Sequence, residues 1–129
     1  MTQEDKELLL VDLCARLPYG IAVELDEKFG FNKGTHVLVK ELLDLYCVEG
    51  IKPYLRPLSS MTEEEYNEMF QQLYSAQEEF FRNCNNADTI GKTITYDLIR
   101  YDWLNKKMFD YRGLIPKDLA IEAPEGMYN

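Results

Sequence analysis

The chain has 129 residues, of which 46% are hydrophobic and 29% charged, and it carries a net charge of −9. Its length fits one domain spanning residues 1–129, able to bury roughly two-thirds of its unfolded surface. The negative charge argues against general binding to nucleic-acid backbones or anionic lipid, since both would repel it.

The amino terminus, M-T-Q-E-D-K-E, is acidic where a secretory signal is basic. Thr2 and Asp5 form a plausible cap for a first helix running to about residue 15, with Leu9, Leu10, Leu13, Cys14 and Leu17 on its buried face. Pro18 ends it. Tyr19, Ile21, Val23 and Leu25 then alternate with Gly20, Ala22, Glu24 and Asp26, the period of a half-buried strand. Residues 26–34 read as a turn leading to a second strand near 35–39. A short helix is expected over 40–48, and a third strand over 49–55, with Pro53 marking an edge or an end.

Residues 52–65, K-P-Y-L-R-P-L-S-S-M-T-E-E-E, form the corner of the chain. Pro53 and Pro57 hold φ near −65° and push Lys52 and Arg56 towards extended geometry, a stiff connector. Thr62 and Glu65 are spaced as a capping box. From there Tyr66, Met69, Phe70, Leu73, Tyr74, Phe80, Phe81 and Cys84 recur at spacings of three and four, predicting an amphipathic helix over 62–83 whose apolar side closes the sheet. A polar loop at Asn83, Asn85 and Asn86 separates it from a further helix over 94–107, with Lys106 and Lys107 suiting its dipole. Residues 110–113 read as a turn, 114–123 as an extended or 3-10 segment and 124–129 as a tail. The pattern predicts an α+β fold: a small antiparallel sheet of two or three strands packed against two or three helices.

Charge is unevenly distributed. Residues 62–79 hold six Glu and no Lys or Arg, whereas 82–117 hold seven Lys or Arg against four Asp. No stretch approaches the ~18 apolar residues of a membrane span. Cys14, Cys47 and Cys84 are widely spaced and fit buried free thiols in a reducing cytoplasm.

Motifs for chemistry are sparse. Gly91-Lys92-Thr93 copies the end of a phosphate-binding loop, but Asn86 replaces its first glycine and a helix rather than a strand precedes it, so loop chemistry explains the glycine. Glu63, Glu64 and Glu65 already answer the helix dipole beside Ser59 and Ser60, so capping explains that stretch better than an anion site. The lone histidine, His36, reads as an ordinary strand residue with no nucleophile elbow elsewhere. Metal-ligand spacings are absent, and Asp97 and Asp102 would point about 140° apart on one helix. No cofactor is expected, and the residues support an enzyme least. The most suggestive cluster is aromatic and basic: Tyr96, Arg100, Tyr101, Trp103, Phe109, Tyr111 and Arg112. Guanidinium groups and ring faces can hold a planar, phosphorylated ligand. The plainer alternative makes the aromatics core and pairs the arginines with Asp97, Asp102 or Asp110.

Three stretches together resemble a family: L-C-A-R-L-P-Y-G at 13–20, the 52–65 segment, and D-W-L-N-K-K-M-F-D-Y-R-G-L-I at 102–115, followed by L-A-I-E-A-P-E-G-M-Y. They are similar to small uncharacterised proteins encoded by anaerobic gut bacteria and by their phages and mobile elements. The resemblance implies an α+β domain and that genetic setting, with no activity attached. A histidine often precedes F-D-Y-R-G in that family; here Lys107 and Met108 stand there, so no metal or acid–base role carries over. Two non-enzymatic readings follow. The first is an accessory interaction module for a host or phage protein. The second is a protein that sequesters a small nucleotide-like signal, with Arg56, Arg100, Trp103, Tyr111 and Arg112 as ligand contacts.

Overall fold

The computed structural model describes residues 1–27, 34–45, 48–83 and 89–128, and the side chains of all of these except 44–45, 76–83 and 89–95. Cys47, Cys84 and most of the turn before the second strand lie outside the described residues. The chain divides into two compact units, one formed by residues 1–58 and 105–129, the other by 59–104.

In the first unit, helix α1 (Gln3–Arg16) starts at the anticipated cap: Asp5 N donates to Thr2 Oγ1 at 3.1 Å and Thr2 N donates to Asp5 Oδ2 at 3.3 Å. Pro18 lies in a 3-10 turn, and the chain reverses at Gly20, whose φ of 73° favours a residue without Cβ. Strands β1 (Ala22–Leu25) and β2 (Gly34–Val37) pair antiparallel, with Val23 opposite His36. The short helix α2 (Lys40–Leu45) follows, then β3 (Ile51–Leu55), antiparallel to β1 with Val23 opposite Pro53.

The sheet is larger than the sequence predicts. A two-residue strand, β4 (Ile121–Glu122), pairs parallel to β3, giving four strands in the order β2-β1-β3-β4 and a mixed rather than purely antiparallel sheet. Two residues are too few to leave an alternating pattern, and the pairing is secured by backbone, with Ala123 N donating to Leu55 O at 2.8 Å. The two ladders on β3 are staggered: β1 runs along residues 51–53 and β4 along 54–55. Pro53 therefore closes the first ladder, as a residue without N–H should. The 124–129 tail is also anchored, because the Tyr128 hydroxyl donates to Tyr54 O at 2.6 Å and accepts from Ala22 N at 3.2 Å.

The core of this unit joins Leu9 and Leu13 of α1 to Ile21, Val23, Leu25, Ile51 and Leu55 of the sheet region, and to Met108, Leu114 and Leu119 from the carboxyl-terminal segment. The buried face of α1 differs from the predicted stripe. Leu10 and Cys14 are exposed, and Asp12 and Arg16 are fully buried beside Leu9 and Leu13. They pair with each other four residues apart, and Asp12 also meets Arg112, and Arg16 the Phe109 carbonyl, about a hundred residues away, contacts that no local pattern reveals.

In the second unit, helix α3 (Glu63–Asn83) carries the expected capping box: Glu65 N donates to Thr62 Oγ1 at 3.1 Å and Thr62 N to Glu65 Oε1 at 3.2 Å. Helix α4 (Thr89–Lys106) begins at residue 89 rather than 94, so Gly91-Lys92-Thr93 is helical and not a loop. One glycine costs an exposed helix about 1 kcal/mol, which a helix of this length absorbs. The larger departure concerns α3. Its apolar side leaves Tyr66, Phe70 and Tyr74 at 54%, 55% and 52% exposure, with Met69 and Leu73 half-buried.

Candidate interaction surface

Two side-chain assemblies contain the residues singled out from the sequence. The first, in the sheet-bearing unit, is a buried charge clasp. Arg16 donates through Nε to Asp12 Oδ2 at 2.9 Å and through Nη2 to Asp12 Oδ1 at 3.1 Å, and the same Nη2 reaches Phe109 O at 2.6 Å. Arg112 Nη1 donates to Asp12 Oδ1 at 2.7 Å. One carboxylate thus answers two guanidinium groups, both also lying over the Tyr111 ring, at 5.4 Å for Arg16 and 4.6 Å for Arg112. Tyr111 donates its hydroxyl proton to Asn105 Oδ1 at 2.8 Å. Arg56 stacks 4.2 Å above the Phe109 ring, while its backbone bridges that segment, N to Met108 O and O from Asp110 N.

The turn after Phe109 explains why F-D-Y-R-G-L-I is a compact motif. Asp110, itself buried, accepts Leu114 N at 2.8 Å and Ile115 N at 2.9 Å, and Gly113 supplies the required positive φ of 73°. All of these contacts are internal to the unit. Arg56, Tyr111 and Arg112 therefore share one neighbourhood, with Arg112 paired to Asp12 rather than to Asp97, Asp102 or Asp110. Burial pushes the nearby Tyr128 phenol up to about 12, against the opposing pull of its hydrogen bond to Ala22 and the charge of Arg16.

The second assembly is the face of the α3–α4 unit. Tyr66, Phe70 and Tyr74 follow one another at four-residue intervals, so they stand in one stripe along α3. Beside it Phe70, Leu73 and Tyr74 of α3, with Tyr96 and Arg100 of α4, line an open groove of about 180 Å³. That is room for about one large apolar side chain. Arg100 is half exposed and paired with Asp97 at 3.8 Å, a separation and exposure that give little energy. Trp103 is buried in the same helix at 2% exposure. Arg100 and Trp103 thus belong to this unit, and Arg56, Tyr111 and Arg112 to the other.

Helical spacing predicts Tyr66, Phe70 and Tyr74 on a buried side, because it identifies an apolar stripe without saying what covers it. Asp12 and Arg16 fall outside the predicted stripe of α1, although two opposite charges four apart beside apolar positions are a visible sign of a buried pair.

A second groove, of about 350 Å³, is lined by Glu24, Asp26, Glu27, Glu49 and Lys52. Glu49 in it is held below the usual carboxylate range by its hydrogen bond to Lys6. Among the described residues no three His, Cys, Asp or Glu gather as metal ligands, and no helix is long and apolar enough to cross a membrane. No protein-family model matches the chain, and no curated protein or solved structure is detectably similar to it.

Proposed function

We propose that this chain is a non-catalytic interaction module that docks a protein partner on the aromatic stripe and groove of its α3–α4 unit. The observation that carries the reading is the half-exposure of Tyr66, Phe70 and Tyr74 in one continuous stripe. Contiguous exposed apolar surface is a recurrent mark of association, and aromatic side chains supply most of the affinity at such sites. The family resemblance would place the partner in a bacterial host or a phage. The test is affinity capture with tagged protein, wild type beside Phe70→Glu, with bound proteins identified by mass spectrometry. A stoichiometric partner retained by wild type and lost with Phe70→Glu is expected. A partner held equally by both proteins, or none at all, refutes the proposal.

A second reading draws on the stacks of Arg56 over Phe109 and Arg112 over Tyr111, planar pairs of the kind that bind nucleotide-like ligands. Such a ligand would compete with Asp12 for Arg112. Native mass spectrometry of protein taken from cells decides it: a retained small phosphorylated molecule, lost with Arg112→Met, supports this alternative.

A further inference from the structure

We infer that a second copy of this chain pairs with the open edge of β2, joining two sheets into one across a two-fold axis. The inference concerns the sheet-bearing unit alone and is independent of the docking reading above. The order β2-β1-β3-β4 leaves two edges. A sheet edge is a template for further pairing unless it is short, charged or broken by proline. Strand β4 is two residues long and carries the exposed Glu122, so its edge is blunted. Strand β2 has no such device: residues 34–39, G-T-H-V-L-V, hold no Asp, Glu, Lys, Arg or Pro.

The register shows which backbone groups are open. Leu38 N donates to Ile21 O at 2.9 Å, so these two residues are a bonded pair of the antiparallel ladder. By alternation Val23–His36 and Leu25–Gly34 are bonded pairs as well. Thr35 and Val37 fall at the positions between, where N–H and C=O point away from β1. Among the described residues no other hydrogen bond reaches them. An occupant of this edge must offer N–H and C=O at the same spacing, which is an extended backbone. The side chains agree: Thr35, Val37 and Val39 are exposed in one row, the valines at 61% and 46%.

This edge is complementary to itself. Antiparallel pairing centred on position 36 sets Thr35 opposite Val37 of the second copy, and Val37 opposite its Thr35. Each of these pairs exchanges both N–H···O bonds and packs two β-branched side chains on one face. The charge of −9 per chain lies elsewhere. Glu24, the one carboxylate within β1 and β2, would stand three strand spacings from its copy, about 14 Å. That exceeds the screening length of about 8 Å at physiological salt. A charged peptide gains no complementarity from an uncharged strand, and a lone added strand only moves the open edge outward. Two-fold pairing closes the β2 edge of both copies at once.

The test uses the full chain, with sedimentation over a concentration series and amide hydrogen exchange read residue by residue. A dimer is expected, with the Thr35 and Val37 amides protected only as it forms and the His36 and Leu38 amides protected throughout. Thr35→Lys/Val37→Lys sets like charges opposite each other in both pairs and should raise the dimer dissociation constant about tenfold. Thr35→Lys/Val37→Glu sets Lys opposite Glu in the same pairs and should bring it back to within about threefold of wild type. Both positions are exposed, so circular dichroism should be unchanged in either variant. A monomer at every concentration, with the Thr35 and Val37 amides exchanging freely, overturns the inference. A dimer that leaves these amides unprotected, or that is lost with Phe70→Glu and kept with Thr35→Lys/Val37→Lys, also overturns it. So does failure of Thr35→Lys/Val37→Glu to restore pairing. Protection of both amides in the monomer assigns the edge to another segment of the chain and overturns it equally.

Discussion

Replacing Asp12 with asparagine keeps the shape of the side chain and removes the one anion that Arg16 and Arg112 share. The three hydrogen bonds it accepts, at 2.9, 3.1 and 2.7 Å, are charge-assisted. The asparagine oxygen can take over part of this set, but its NH2 then meets an Arg16 N–H, donor against donor. Arg16 is fully buried and cannot turn to water, whereas the Arg112 side chain is 20% exposed and can partly rehydrate. Removing one partner of a buried ion pair costs about 3–5 kcal/mol, and the partial escape of Arg112 puts Asp12→Asn near 3. That is a large share of the roughly 5–15 kcal/mol that holds a domain together. In urea, with a slope of about 1–3 kcal/mol per molar, the midpoint should fall by about 1–3 M. Far-UV circular dichroism reads the transition, and hydrogen exchange at the α1 amides locates the loss in the sheet-bearing unit. A double-mutant cycle with Arg112→Met should give a coupling of about 1–2 kcal/mol. A loss under about 1 kcal/mol for Asp12→Asn, or a coupling near zero, would refute the clasp as a source of stability.

Stability should also fall at high pH through Tyr128. Its folded value near 12 lies above the ordinary 10, so the neutral phenol is favoured in the fold. The contribution is fully present below pH 10 and is lost as pH rises from 10 to 12, by about 1 kcal/mol once screening of this partly solvated group is allowed for. Urea midpoints across that range should decline less in Tyr128→Phe than in wild type, and a parallel decline would count against the assignment. Thr62→Ala should cost about 1 kcal/mol and fray the first turn of α3, measured as lost protection of the Glu65 and Tyr66 amides. Asp110→Ala strands two backbone donors, Leu114 N and Ile115 N, and should cost about 2–4 kcal/mol in thermal or urea unfolding; Asp110→Asn, which can keep one of them, should lose less.

Local chemistry carried much of the architecture. Both capping boxes, the prolines at 18 and 53, and the alternation through Val23 and Leu25 act within a few residues, so they can be read directly from the chain. The spacing of Tyr66, Phe70 and Tyr74 likewise determined a long helix with one aromatic stripe. Tertiary structure decided whether that stripe is covered, because burial depends on neighbours that periodicity does not name. It also decided that the locally spaced Asp12–Arg16 pair meets Arg112 and the Phe109 carbonyl across about a hundred residues of chain, and it decided the two-residue β4 that completes a mixed sheet. A turn or a cap is stabilised by atoms already adjacent in the chain. A buried charge or a parallel pairing exists only once folding has brought distant segments together, and the energy that selects it is absent until then.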